Sequence, residues 1–304
     1  MGKLSVVISA FNEEKKIEDC LKSASFADEI IFVDNSSSDG TLKIAKKYTP
    51  KISTRENNPM LNINKNFGFS KAKNEWILSL DADERITDEL KKEIQSIIKD
   101  DKKDVNGFWI PRKNIIFRKW IQNSIWWPDY QLRLFRKDRG RFPEKHVHEY
   151  LEVEGKTEKL QHPMIHQNYS SISQYLYKME NIYTESEVKN RLEEKIEIQW
   201  VDALRYPIGD FLKTFFSQKG YKDGLHGFVL SLLQAFYMEV VFVKLWEKQG
   251  FKEKTPDNFL KELYEGFRKI KKEFNYWFLT SLINETRNPL KKIILKIVKK
   301  RNRV

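Results

Sequence analysis

Trp76-Ile77-Leu78-Ser79-Leu80-Asp81-Ala82-Asp83-Glu84 sets five mainly apolar residues directly against a group of three acids. A short apolar run closed by polar residues reads as a strand buried on both faces of a parallel sheet. The acids then fall at its carboxyl end, where open α/β sheets bind their ligands. Asp-x-Asp on extended backbone aims both carboxylates to the same side. Carboxylates so placed repel one another unless a cation or a hydrogen-bonding ligand sits among them. A hard divalent ion there can bridge diphosphate oxygens and neutralise charge on a departing nucleotide.

Moving outward, the same pattern repeats. Leu4 to Ala10 is a β-branched apolar run, followed by Asn12 as a helix N-cap and by Glu13 and Glu14, suited to a helix's positive end. Ile17, Cys20, Leu21 and Ala24 then recur at helical spacing. Glu29 to Asp34 reads as a second strand ending on a carboxylate. Ser36 to Gly40 is turn chemistry, and Thr41 opens a helix through Tyr48. Ile52 to Thr54 is a weaker strand, Asn66 to Asn74 a helix, and Thr87-Asp88-Glu89-Leu90 starts a helix lasting to about Ile98. Alternating strands and helices predict an α/β layer built on a parallel sheet. Residues 105–165, rich in aromatic and β-branched side chains, are expected to add antiparallel strands that finish the sheet and close a pocket. Helical spacing dominates from Ser171, so the expected division is a catalytic domain over 1–170 and a helical region over 171–304.

The 304 residues are 40% apolar and 32% charged, a globular composition, with a net charge of +12. That balance favours an anionic partner: nucleotide phosphates, acidic lipid headgroups or nucleic acid. Cys20 is the single cysteine, so no internal disulfide forms and a reducing compartment fits. The opening residues run straight into a strand-like segment without the apolar stretch of a signal peptide, which points to the cytosol or the cytosolic face of a membrane. A nucleotidyltransferase is one alternative. The sequence lacks a Gly-rich phosphate loop near the first strand, which counts against it. A basic nucleic-acid-binding protein is another, opposed by the absence of zinc-finger or RNP-like motifs and by the gathering of charge in the tail.

Val7-Ile8-Ser9-Ala10-Phe11-Asn12-Glu13, Ile31-Phe32-Val33-Asp34-Asn35-Ser36-Ser37-Ser38-Asp39-Gly40-Thr41 and Leu78-Ser79-Leu80-Asp81-Ala82-Asp83-Glu84 resemble, in order and spacing, the family 2 glycosyltransferases of GT-A fold. The resemblance spans roughly residues 4–170. It implies a mixed, Rossmann-like sheet flanked by helices, a nucleotide-sugar donor, and Mg²⁺ or Mn²⁺. Asp34 would contact the base, expected to be uracil. Asp81 would lie near the ribose, and Asp83 would ligate the metal at the diphosphate. Phe11, Asn12 and Glu13 would line the nucleotide pocket, beside Ala10, Ser36 and Ala82. Taken singly, Asp34, Asp39 and Glu13 also read as ordinary turn or first-turn acids. Together at adjacent strand ends they read as a site.

Inverting members of that family need a general base. Trp126-Trp127-Pro128-Asp129-Tyr130-Gln131-Leu132-Arg133-Leu134-Phe135-Arg136 resembles a stretch of the subgroup that includes lipopolysaccharide-core glucosyltransferases, and Asp129 is its candidate base. Trp126 and Trp127 can stack on sugar rings, and aromatic walls can raise a carboxylate pKa. A turn acid after Pro128 is the plainer alternative. Gln131 and Arg133 are candidate acceptor or phosphate contacts, Arg133 ahead of Arg136. In Glu144-Lys145-His146-Val147-His148-Glu149, the resemblance favours His148 over His146 as a metal or diphosphate contact. A structural role suits lone histidines as well, His162 and His166 more so.

Phe228 to Trp246 is long and apolar but contains Gln234, Glu239 and Lys244, so it is expected to be buried or at a membrane interface, with a true span as the alternative. Arg287 to Val304 carries eight Lys or Arg and no acid, with Leu290, Ile293, Ile294 and Ile297 on one helical stripe. This basic amphipathic helix suits an anionic membrane surface; a helix docked on the core or a frayed tail are the alternatives. The expected acceptor is a lipopolysaccharide-core or other cell-surface glycan or glycolipid, handled by a peripheral protein on the cytosolic face of the inner membrane, with no nucleic-acid partner.

Overall fold

The computed structural model describes residues 2–58, 60–100, 103–144, 149–253 and 255–301. It falls into two compact units, Met1–Trp120 with Trp126–Ser170, and Ile121–Ile125 with Ser171–Val304.

The first unit begins with β1 (Leu4–Ala10), α1 (Ile17–Ala24), β2 (Glu29–Asp34), α2 (Thr41–Ala45), β3 (Ile52–Thr54), α3 (Leu61–Lys71) and β4 (Trp76–Asp81). It continues with β5 (Glu84–Arg85), α4 (Asp88–Asp100), β6 (Val105–Ile116), β7 (Lys119–Trp120) and β8 (Asp129–Arg136). β9 (Gly140–Arg141), β10 (Glu152–Val153), β11 (Lys156–Lys159) and β12 (Met164–Tyr169) complete it. The main sheet runs β3-β2-β1-β4-β8-β6-β12-β5. β1 is parallel to β2 and β4, and β2 to β3, because helices carry the chain back across the sheet each time. Both faces of these strands are covered. Val6 and Ile8 join one core with Leu21, Leu78 and Leu90, whereas Val7 joins the other with Ile31, Phe69 and Ile77. Period-two alternation therefore carries apolar residues at odd and even positions alike, which is why these strands read as continuous runs. α3 lies so close to β1 that a Cβ on Gly68 would meet Val7 Cγ1 at 2.5 Å.

Three expectations need correction. Asn12 does not cap a helix. It takes a left-handed φ of 53°, and α1 starts only at Ile17. α3 starts at Leu61, earlier than expected: its first turn and a half carries Asn62 and Asn64, both buried rather than left in a loop. The later strands are not all antiparallel. β8 is antiparallel to β4 and β6, but β11 and β12 both run parallel to β6.

The sheet also returns on itself. β5 begins just after β4 ends, yet pairs with β12 at the far end of the strand order. The curl encloses the Asp81–Glu84 turn between β4 on one side and β12 on the other.

The second unit is helical: α5 (Ile172–Lys178), α6 (Thr184–Glu193), α7 (Asp202–Phe211), α8 (Leu225–Lys248), α9 (Phe259–Glu285) and α10 (Pro289–Arg301), with two π-helical segments, Met179–Tyr183 and Leu212–Ser217. Ser171 caps α5 by accepting from Gln174 N at 3.2 Å. Val188, Ile198, Val241, Phe242 and Leu245 form a core of this unit. Asp223 secures its detached strand of chain by accepting from Gln122 N at 3.1 Å and Asn123 Nδ2 at 3.2 Å.

Candidate active site

The loops after β1 and β2 are laced together. Asn12 Oδ1 accepts from Ser38 N at 2.8 Å, Glu13 N donates to Thr41 Oγ1 at 2.7 Å, and Glu14 Oε2 accepts from Gly40 N at 2.8 Å. Left-handed backbone at Asn12 and at Ser36, with φ of 61°, lets both loops turn sharply at the strand ends. Asp34 is buried beneath them and receives Ser37 N only at 3.3 and 3.4 Å, long contacts that leave its carboxylate capacity for a further donor. Ala10 is buried at the end of β1, while Phe11 beside it is exposed. Asn35, which the sequence placed at this strand end without a role, is buried and accepts from Asn64 Nδ2 at 2.8 Å, which ties α3 to this edge.

The acids after β4 sit among cations. Asp81 meets Lys65 Nζ at 2.6 Å and the Arg133 guanidinium. Burial works to raise the Asp81 pKa, but Arg133 and then Lys65 outweigh it and hold the carboxyl far below the usual range. Glu84 is fully buried; its Oε2 accepts from Asp81 N at 3.0 Å and its Oε1 pairs with Arg133 at 2.7 Å. Arg133 is thus committed to carboxylates. The sequence favoured a phosphate contact for it, and the structure places it beneath the acids. Ala82 is buried in the turn.

Asp83 lies between Lys16 Nζ at 3.8 Å and His166 Nε2 at 3.6 Å. Burial opposes its ionisation, but the His166 ring and Lys16 more than offset this and hold it at about 2. The strand register explains the meeting: His166 of β12 pairs with Glu84 of β5 on one side and with Asn114 of β6 on the other. Asn114 is fully buried with its amide fully used. Its Oδ1 faces His166 Nδ1 at 2.7 Å and accepts from Asn168 at 3.3 Å, while its Nδ2 donates to Trp126 O at 2.9 Å and Asp129 Oδ2 at 3.1 Å. Two acceptors on the Nδ2 side fix the amide's orientation, so His166 Nδ1 is the donor to Oδ1. Nε2 then faces the Asp83 carboxylate at 3.6 Å, where a proton on the ring or a cation between the two makes the contact favourable. An imidazole whose other nitrogen is fixed by a carbonyl has the form of a metal ligand. Asp83 and His166 could supply two ligands to a divalent ion; among the described residues no third acid, histidine or cysteine joins them in a metal-holding group.

Asp129 lies opposite Arg112 in the β6–β8 register. Arg112 donates from Nε at 2.8 Å to Asp129 Oδ2, and Gln131 Nε2 donates to Oδ1 at 2.9 Å. The expected rise in its pKa is not found. Burial does push it up, but Arg112, Asn114 and Gln131 together bring it below the ordinary value. Trp126 and Trp127 are half-buried, edge-on to Tyr169 at 6.3 Å and Trp120 at 5.3 Å. His148 and His146 lie outside the described residues. His162 meets Glu93 at 2.9 Å, away from the acids, in a contact that ties the β12 approach to α4. Among the described residues, His166, ranked below His148 from sequence, is the histidine the fold brings to the acids.

Carboxylates and cations gather at the open ends of the parallel strands, beside a buried acid with capacity for a further donor, the edge at which open α/β sheets bind their ligands. Residues 5–151 match the sequence model of Glycosyl transferase family 2. They form the family 2 glycosyltransferase domain of this chain. The chain is similar to an uncharacterized glycosyltransferase of Rickettsia typhi, with 29% identity over 81% of this chain and 88% of the relative. It is also similar to the lipopolysaccharide core biosynthesis glycosyltransferase LpsC of Rhizobium meliloti, with 23% identity over 82% and 94%. Among solved structures, S. aureus TarS 1–349 in complex with UDP-GlcNAc overlaps it with a TM-score of 0.42 at 17% identity, over 84% of this chain and 95% of that one.

Proposed function

We propose that this glycosyltransferase moves a sugar, with inversion at the anomeric carbon, from a UDP-sugar to a lipopolysaccharide-core or other cell-surface glycan. The observation that carries the reading is the polar path Asp83–His166–Asn114–Asp129, which joins an acid suited to the donor diphosphate to an acid suited to the acceptor hydroxyl. Asp34 takes the base, Phe11, Asn12 and Glu13 flank it, and Asp81 faces the ribose. Asp83 and His166 would hold Mg²⁺ or Mn²⁺, which when bound neutralises charge on the departing diphosphate. Asp129 Oδ2 is saturated by Arg112 and Asn114, whereas Oδ1 has one neighbour, Gln131. Oδ1 is thus the atom that accepts the acceptor's proton as its oxygen attacks the sugar carbon and the bond to the diphosphate breaks. Arg112 keeps Asp129 ionised and ready for that role across neutral pH.

The name of LpsC supports a lipopolysaccharide acceptor. The acid-free basic stripe of α10 supports work at an anionic membrane, on its cytosolic face. The reading is tested by UDP release from a panel of UDP-sugars with and without Mn²⁺. Asp83→Asn should lose turnover and Mn²⁺ response, and Asp129→Asn should keep UDP binding while losing transfer. Full transfer by Asp129→Asn, or turnover indifferent to chelation in the wild type, would overturn the respective assignment.

A further inference from the structure

Among the described residues, α8 alone is long and apolar enough to cross a membrane, yet only 22% of its most apolar stretch is buried. Its two faces differ. The inner face packs Leu230, Val241, Phe242 and Leu245 into the second unit. Its polar residues are consumed there: Lys244 Nζ reaches Glu185 at 2.5 Å and Glu180 O at 2.8 Å, and Gln234 donates to Asp210 at 2.9 Å. A helix so tied to soluble neighbours cannot span a bilayer without taking these charges with it.

The outer face is a stripe of Leu225, Phe228, Leu232, Phe236, Val243 and Trp246, exposed from 36% at Trp246 to 74% at Leu225. The spacing is helical, with Glu239 filling the missing step, where burial pushes its carboxyl up toward the neutral form. Lys219 lies before the stripe and Lys248 and Lys252 follow it, all exposed, and the Trp246 indole N–H is satisfied by Lys252 O at 3.2 Å. An apolar stripe with a tryptophan and lysines at its ends suits the headgroup boundary.

The same unit carries the charge that identifies the occupant. α10 exposes Leu290, Ile293, Ile294, Ile297 and Val298. Lys296, Lys299 and Lys300 line a cavity of about 360 Å³ with Thr280, Ile283 and Asn284. A second copy of the chain would bring like charge against like charge at α10, whereas lipid phosphates would neutralise it.

We propose that the outer stripe of α8 is the apolar anchor of a membrane seat, lying in the headgroup layer of an anionic bilayer while the α10 lysines meet lipid phosphates. This rests on the membrane reading given above and adds a second, apolar element to it. Cys20 is fully buried, so Phe236→Cys in the full chain can be labelled selectively with an environment-sensitive fluorophore. With vesicles of phosphatidylcholine and phosphatidylglycerol, the protein should cosediment, and the probe should shift to the blue and be quenched by shallow nitroxide lipids. Leu232→Glu with Phe236→Glu should lower vesicle partition about tenfold or more while UDP-sugar hydrolysis persists. A protein that cosediments with an unchanged probe overturns the α8 anchor and leaves the α10 reading standing. Failure to cosediment at all overturns both. Double-variant protein that loses self-association in the ultracentrifuge but keeps its vesicle partition shows a second copy on the stripe instead, and also overturns the anchor.

Discussion

Replacing Arg133 with Met removes one guanidinium from the deepest part of the candidate site and keeps most of its packing volume. In the folded protein that group pairs with Asp81 and, at 2.7 Å, with the fully buried Glu84. Breaking a buried ion pair from one side costs about 3–5 kcal/mol, chiefly because the partner is left charged without compensation. Here the stranded acids retain something. Asp81 keeps Lys65 at 2.6 Å, and Glu84 keeps the Asp81 N–H at 3.0 Å and a distant Arg112 at 3.7 Å. The cost should therefore sit at the lower end, about 3 kcal/mol. For a unit of this size that corresponds to a fall in melting temperature of about 6–12 °C, at roughly 2–4 °C per kcal/mol. Adding Glu84→Gln to the Arg133→Met background removes the stranded charge, and should recover about half of the loss or more. Urea unfolding monitored by tryptophan fluorescence and calorimetry both read this out. A single variant within about 2 °C of wild type, or a double variant less stable than the single, would refute the claim that Arg133 is there to neutralise the acids beneath the site.

Arg112→Gln should raise the acid-side pKa of kcat/KM, because burial alone would push Asp129 upward and Arg112 is the foremost opposing influence; a pH–rate profile should show activity lost at higher pH on the acid side than in wild type. Asn114→Ala should weaken Mn²⁺ affinity roughly 10–100-fold and lower kcat together, since one amide orients both His166 and Asp129; calorimetric Mn²⁺ titration in the presence of UDP separates the two effects. Gly68→Ala should destabilise the first unit by about 1–2 kcal/mol despite alanine's better helix propensity, because its Cβ would meet Val7 at 2.5 Å and Val33 at 3.1 Å; urea midpoints test this. Glu29, buried and bonded to Lys51, Ser5 Oγ and Lys73 N, has a pKa below its ordinary value despite burial, so its stabilisation is present at neutral pH and is lost as pH falls through the carboxylate range; Glu29→Gln should flatten that acid limb of the stability curve.

What was legible in the sequence follows from what periodicity encodes. β1, β2 and β4 are covered on both faces, so their residues are mainly apolar on both, and the acids that end β2 and β4 stand out by contrast. Strand direction has no such signature. β11 and β12 look like any short alternating strands, and only the chain's path across the sheet makes them parallel to β6. Asn12 was misread because asparagine serves equally well as a helix cap and in left-handed backbone, and the choice between them is made by Ser38, some distance along the chain.

The site itself was half legible for a related reason. Its acids lie in loops at strand ends, where polar residues draw notice, but His166 and Asn114 lie within strands. A signal was present. Met164, His166 and Asn168 share one face of β12, and Ile110, Arg112, Asn114 and Ile116 share one face of β6. In each strand a core face that opens on a buried apolar residue turns polar partway along, and the structure shows the interrupting His and Asn residues to be buried too. Burying such groups is unfavourable unless each finds a partner, so a polar run on a core face requires a matching run on the neighbouring strand. Here the two runs meet in register, His166 opposite Asn114, and Arg112 opposite Asp129 on the other side. Any substitution that repaired the hydrophobic pattern of one strand would strand the partners on the next. The departure from the pattern thus marks the same candidate site that the acids of the Asp81–Glu84 turn mark.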